Sequence, residues 1–177
     1  TVLSVLARLA SLSHNRVEML SCGLAPLLCD LIEQPIPEPV LLQLLVLLES
    51  LLVDASAREQ CSSLHLVTKL ASKLVQPNTA LRDLSLSMLN HLSFDSSSLS
   101  CFRQPTCIDA LCAELDTKSE LVLMLSFQLL FRIAHDDEVW TMLNERLFET
   151  GVLRALYREV TSLTVRDLLQ KVMSLFM

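Results

Sequence analysis

The groups that could carry chemistry in this 177-residue chain are four histidines, six cysteines and twenty acidic residues. A catalytic site would need a nucleophile, a base and an orienting group that converge. His14, His65, His91 and His135 fall in different segments of the sequence, and their spacing brings no two of them together. Solvent-facing or capping roles are expected for them, with His91 alone placed in a groove. A zinc site would need Cys or His ligands at short spacing. Cys22, Cys29, Cys61, Cys101, Cys107 and Cys112 include no C-x-x-C pair, and Cys107 and Cys112 are five apart, on different helix faces. Buried structural thiols are expected, with no metal and no cofactor. Asp136, Asp137 and Glu138 could hold a cation. A helix cap followed by two acids that favour the positive end of the helix dipole is the simpler reading. Ser96, Ser97 and Ser98 offer either a phosphorylation target or a solvated joint. Trp140 reads as a core aromatic or as a partner anchor.

Only two glycines occur, Gly23 and Gly151. That excludes a Walker-type phosphate loop and a G-x-G-x-x-G fingerprint. It also argues against a hairpin-rich β protein, whose tight turns need positive φ. Leucine supplies 42 residues, while Trp and Tyr occur once each, which favours helices over strands. The net charge is -6, from 14 basic and 20 acidic residues, so there is no cationic excess to neutralise phosphates. Direct nucleic-acid binding is not expected. Mean hydropathy is high, +0.47. The longest apolar stretch, 40–53, is nevertheless interrupted by Gln43, Glu49 and Ser50. It falls short of the roughly 18–20 residues that a membrane span needs, so no membrane partner is expected. The thiols and the leucine-rich core point to a reducing intracellular setting, cytoplasmic or nuclear. Both ends of the sequence lie inside helical patterns, so the parent chain is expected to extend beyond both.

A step of 41 residues organises the chain. Asp54, Asp95 and Asp136 each follow a leucine-rich stretch at intervals of 41, and Ser13 lies 41 before Asp54. All are capping types, expected to accept a backbone N–H from the first turn of a helix. Three apolar columns keep the step: Leu45, Leu86, Phe127 and Leu169; Leu48, Leu89, Leu130 and Val172; Leu51, Leu92, Ile133 and Leu175. Within a unit the offsets are helical. The pattern predicts a leading helix in 1–12 and four units at 13–53, 54–94, 95–135 and 136–177.

Each unit reads as three helices. The first pieces occupy 13–22, 54–62, 95–104 and 136–150, and the second 24–33, 64–75, 106–115 and 152–160. The third pieces occupy 39–53, 79–93, 118–134 and 163–176. Pro35, Pro37 and Pro39 break the chain before one third helix, with Pro39 suited to a first helical position. Gln76, Pro77 and Asn78 break it before the next, with Asn78 as cap. Gly23 and Gly151 both stand just before a second helix.

A three-helix unit of this length resembles the armadillo repeat of the armadillo/HEAT superfamily. The stretch Cys22-Gly23-Leu24-Ala25-Pro26-Leu27-Leu28-Cys29-Asp30-Leu31-Ile32 is similar to that family's second-helix signature. Glu149-Thr150-Gly151-Val152-Leu153-Arg154-Ala155-Leu156 repeats it more weakly. The resemblance implies an all-α fold, a right-handed α-solenoid of about four three-helix repeats. It also implies that extended peptides or partner helices bind along the ladder of third helices.

In peptide-binding armadillo proteins of the nuclear-import type, each third helix carries a Trp and, one turn later, an Asn. The matching positions here hold Val46, Ser87, Gln128 and Gln170, then Ser50, His91, Arg132 and Ser174. One step earlier lie Ser4 and Arg8. Neither ladder contains Trp or Asn, so nuclear-localisation signals are not the expected ligand. Arg8, His91 and Arg132 add positive character, which suits a short acidic or amphipathic partner segment. Separately, Leu41, Leu42, Leu44 and Leu45, and likewise 121–125, are apolar nearly all round. Burial between neighbouring repeats explains this, and an extra apolar groove for a partner helix is the second reading.

The resulting expectation is a protein–protein interaction scaffold with no chemistry of its own. Two alternatives stand beside it: a chromosome-associated scaffold in meiotic recombination, at the stage of double-strand-break formation, and a helical regulatory segment of a large multidomain enzyme such as a kinase.

Overall fold

The computed structural model describes residues 1–62, 66–117 and 119–176, with Ser96 and Ser97 described by their backbone only. The predicted helix start at Leu64, together with His65, Lys118 and Met177, lies outside the described residues. Among the described residues every regular element is helical. A leading helix, α1 (Val2–Leu9), is followed by four triplets. These are α2 (Ser13–Ser21), α3 (Leu24–Glu33) and α4 (Glu38–Leu52); then α5 (Ala55–Ser62), α6 (Leu66–Leu74) and α7 (Thr79–Leu92). Next come α8 (Ser96–Phe102), α9 (Pro105–Ala113) and α10 (Glu120–Ile133). Last are α11 (Asp137–Leu143), α12 (Val152–Glu159) and α13 (Leu163–Ser174). A 3₁₀ turn, Glu114–Asp116, prolongs α9, and a π turn, Asn144–Phe148, prolongs α11.

Local chemistry explains the joints. Asn78 caps α7, accepting from the N–H groups of Ala80 at 2.9 Å and Leu81 at 3.2 Å. The helix α4 opens at Glu38, so Pro39 takes the second helical position, where its missing N–H costs nothing. Gly23 and Gly151 both adopt φ of +76° immediately before a second helix. A Cβ on either would meet nothing within 4 Å, so backbone conformation, and not space, calls for glycine there.

The third helices form a ladder: α1 packs on α4, α4 on α7, α7 on α10 and α10 on α13. Second helices stack in the same order, α3 on α6 and α6 on α9. Leu45, Leu86, Phe127 and Leu169 are completely buried, and so are Leu48, Leu89, Leu130 and Val172. In the third column Leu51, Leu92 and Ile133 are completely buried and Leu175 is half-buried. No single triplet encloses these side chains. Neighbouring triplets do, and the core runs continuously along the stack.

The expected caps hold only in part: Ser13 is the first residue of α2 and gives it no side-chain cap, and the aspartates at the later unit starts pair with arginines. The Arg16 guanidinium donates from Nε to Asp54 Oδ2 at 2.6 Å and from Nη1 to the Ala10 carbonyl at 2.9 Å. One unit later Arg58 repeats the arrangement, with Nε to Asp95 Oδ2 at 2.6 Å and Nη1 to the carbonyls of Leu52 at 2.9 Å and Val53 at 2.8 Å. Asp95 makes no side-chain cap bond, because its carboxylate is turned to this guanidinium. Asp136 does both, accepting from Val139 N–H at 3.3 Å and from Arg103 Nη2 at 2.8 Å. The Arg103 guanidinium, with help from the Val139 N–H, holds the Asp136 carboxyl below its ordinary range. Arg16 and Arg58 each tie the end of one third helix to the start of a first helix two units further along.

One more expectation changes. Ser98 is completely buried and bonds to the Ser62 hydroxyl, so that position is packed interior and not a solvated joint. The C-terminal Phe176 is buried as well. It stacks between Trp140, with ring centroids 5.7 Å apart, and Phe148, at 6.0 Å. Trp140 also donates from its indole N–H to the Leu175 carbonyl at 2.9 Å. The π turn carries Phe148 into this cluster, which closes the last unit.

Candidate functional site

Three consecutive third helices leave a shallow apolar trough of about 440 Å³ on their shared face. The helix α4 supplies Leu42, Val46 and Glu49, and α7 supplies Ala80, Asp83, Leu84 and Ser87. Leu121 and Leu125 come from α10. The helices point these residues outward because their opposite faces carry the buried columns. Leu45 and Leu48 face the core while Val46, between them, is 44% exposed. Leu121 is 50% exposed at the other wall. The charged groups lining the trough are both acids, Glu49 and Asp83. The Ser87 hydroxyl donates to Glu49 Oε1 at 2.5 Å and fixes one carboxylate at the rim.

A second apolar hollow, about 400 Å³, lies at the start of the stack between Leu6, Leu9, Met19, Leu24 and Leu27. It differs in kind. Leu48, Leu51 and Leu66, which stand 42 residues after Leu6, Leu9 and Leu24, are completely buried by neighbouring helices. The hollow is therefore the end face of the stack, whereas the trough on α4, α7 and α10 stays open although neighbours flank it on both sides.

No family model matches the chain, and no curated protein matches it significantly in sequence. Solved structures do match in shape. A computationally designed armadillo repeat protein for modular peptide recognition superposes with a TM-score of 0.81 at 15% identity, over 99% of this chain and 74% of that one. A designed armadillo repeat protein in complex with the peptide (KR)4 superposes with a TM-score of 0.70 at 13% identity, over 99% of this chain and 91% of that one. An engineered protein matches at a TM-score of 0.76 and 15% identity, over 97% of this chain and 71% of that one. The fold is an armadillo-like α-solenoid.

The groove residues predicted from the sequence distribute unevenly along this right-handed solenoid of four three-helix repeats. Val46 and Ser87 line the trough. Ser50, one turn from Val46, turns its hydroxyl back to the Val46 carbonyl at 2.9 Å. Gln128 is half-buried on α10, and Gln170 and Ser174 are exposed on α13. Arg8 and Ser4 are exposed on α1, at the opposite end of the ladder.

Of the positive character expected of Arg8, His91 and Arg132, Arg8 stays exposed while His91 and Arg132 are half-buried. The Arg132 guanidinium lies 4.0 Å over the Phe94 ring and donates from Nη1 to Asn90 Oδ1 at 2.8 Å. Burial pushes His91 below its ordinary imidazole value. Glu49 opposes that shift, while Arg58 and Arg132 add to it. His91 is therefore biased to the neutral form.

Sequence reasoning missed three residues at this face. Glu49 and Asp83 set its charge, and Asn90 ties α7 to α10. Asn90 is buried and donates to the carbonyls of Leu86 at 3.2 Å and Leu125 at 2.9 Å. Asn90 follows the column residue Leu89 directly near the end of a half-polar helix, so no sequence signal set it apart.

The histidines outside this face stay apart. His14 is exposed, and His135 is exposed with Nδ1 at 2.9 Å from the Phe131 carbonyl. Among the described residues no three His, Cys, Asp or Glu side chains are placed to share a metal ion. Likewise no helix of the described residues is long and apolar enough to cross a membrane.

Proposed function

We propose that the chain is a protein–protein interaction scaffold without catalytic chemistry, and that it docks one segment of a partner in the α4–α7–α10 trough. The observation that carries this reading is an open apolar surface kept across three repeats whose other faces are sealed into the core. Exposed apolar patches of this kind on a rigid frame are characteristic of binding surfaces. Designed armadillo repeat proteins of the same shape were made for peptide recognition, and one carries a basic peptide.

The partner segment is amphipathic. Its apolar side chains meet Leu42, Val46, Leu84, Leu121 and Leu125, and a Lys or Arg beside them meets Glu49 and Asp83. The acidic partner considered from Arg8, His91 and Arg132 would face these two carboxylates, so the amphipathic alternative is the one retained. Six thiols without disulfides suit a reducing compartment, cytoplasmic or nuclear. A finer reading would place the segment in meiosis inhibitor protein 1, a helical-repeat scaffold similar in its leucine-, serine- and cysteine-rich, glycine-poor style. A pull-down from nuclear extract with and without nuclease tests that reading, because a scaffold retains its protein partner when DNA is digested.

The docking reading is tested by selecting twelve-residue peptides from a displayed library on the native protein. Selected peptides are expected to combine apolar residues with Lys or Arg. The double variant Val46→Arg with Leu121→Arg is expected to weaken them by about tenfold or more, equivalent to roughly 1.4 kcal/mol. Both positions are exposed, so the helical circular-dichroism spectrum should be unchanged. Peptides that bind the double variant as tightly as the parent would place the docking surface elsewhere.

A further inference from the structure

Cys29 on α3 and Cys61 on α5 come from adjacent repeats, and both are completely buried. Their sulfur atoms lie 3.7 Å apart, in contact through a thiol–thiol hydrogen bond. Lys69 closes over the pair, with Nζ 3.4 Å from the Cys29 carbonyl and 3.1 Å from Glu33 Oε1. We infer that Cys29 and Cys61 are an oxidisable dithiol, which hydrogen peroxide converts to a disulfide stapling the first repeat to the second.

The geometry needs little change. Sulfur atoms 3.7 Å apart must close to about 2.05 Å. Side-chain rotation supplies that movement, since α3 and α5 already pack together. The two thiols are also unequal. The hydrogen bond shared with Cys61 draws the Cys29 thiol below its ordinary value against the opposing effect of burial, and Lys69 adds to the lowering. The same bond and burial push Cys61 up. Cys29 is thus the nucleophile and Cys61 the resolving thiol. By contrast, burial pushes Cys107 up to about 12 and Cys112 up to about 11.

The reaction balances without a further reagent. The Cys29 thiolate attacks one peroxide oxygen, the O–O bond breaks, and the departing hydroxide takes up a proton to become water. The Cys61 sulfur then attacks the sulfenic sulfur of Cys29 as it gives up its proton, forming the S–S bond and expelling a second hydroxide, which that proton converts to water. Two electrons pass from sulfur to peroxide, and two thiols with one peroxide give one disulfide and two waters. Peroxide is small and uncharged, and local opening of the short helix α5 admits it.

The experiment uses the full chain carrying Cys22→Ser and Cys112→Ser, which removes the exposed and the half-buried thiol. After peroxide treatment under native conditions, the intact mass should fall by about 2 Da. Tryptic peptides 17–58 and 59–69 should then run as one species that a thiol reductant separates. The thermal midpoint should rise by roughly 5–10 °C, since the bridge closes a long loop in the unfolded chain. Adding Cys61→Ala should abolish the mass loss and leave Cys29 as a sulfenic acid that dimedone traps. Recovery of the two peptides unlinked, or a disulfide that persists in Cys61→Ala, would overturn the inference.

Discussion

Phe127→Ala is expected to destabilise the protein by about 3–5 kcal/mol, the usual cost of emptying a fully enclosed aromatic site. For a chain of this size that lowers the thermal midpoint by roughly 6–20 °C. Phe127 is completely buried on α10, in one column with Leu45, Leu86 and Leu169. Since α10 packs on both α7 and α13, the cavity would open between two repeats at once. A stack whose stability comes from nearest-neighbour interfaces is most sensitive there. Gln128→Ala, the next residue on the half-buried outer side, should stay within about 0.5 kcal/mol. Thermal and urea unfolding of both variants checks the contrast. Equal effects would mean that the column is not the spine.

Arg58→Met is expected to cost about 2–4 kcal/mol, since it strands the Asp95 carboxylate and two main-chain carbonyls that now receive charged hydrogen bonds. The pair is well shielded, with side-chain exposures of 15% for Arg58 and 25% for Asp95. Arg103 is 41% exposed in its pair with Asp136, so solvent screens it more, and Arg103→Met should cost less than Arg58→Met. Adding Asp95→Asn to Arg58→Met should recover part of the loss, because the stranded charge is gone. A double-mutant cycle in urea reads the coupling directly. Additive effects of the two substitutions would show that the clamp does not join the repeats energetically.

The fold was legible because one residue type repeats at a fixed step. Leu45, Leu86 and Phe127 announce a spine from spacing alone, and Gly23, Pro39 and Asn78 mark the joints by their backbone preferences. The arginine clamps were harder to see. The aspartates Asp54, Asp95 and Asp136 stood out by position, but capping is a local role that any aspartate before a helix can play. Their partners lie 38, 37 and 33 residues earlier, and only the packing of helices brings them together.

The candidate site was partly legible for a similar reason. The apolar stretches around Leu42 and 121–125 were visible as stripes too wide for one buried face. Glu49, Asp83 and Leu84 were not, because their meeting depends on how three third helices are rotated against one another. The contacts of Arg132 were hidden for the same reason. Its stacking on Phe94 and its bond to Asn90 withdraw a charge that the sequence presents as available.

The most direct measurement is a methyl-resolved NMR titration of the protein with a selected peptide. Shifts are expected to concentrate on Leu42, Val46, Leu84, Leu121 and Leu125, with the end-face methyls of Leu6, Leu9 and Leu27 unmoved. Shifts confined to the end face, or to methyls on the first helices α2, α5, α8 and α11, would contradict docking in the trough.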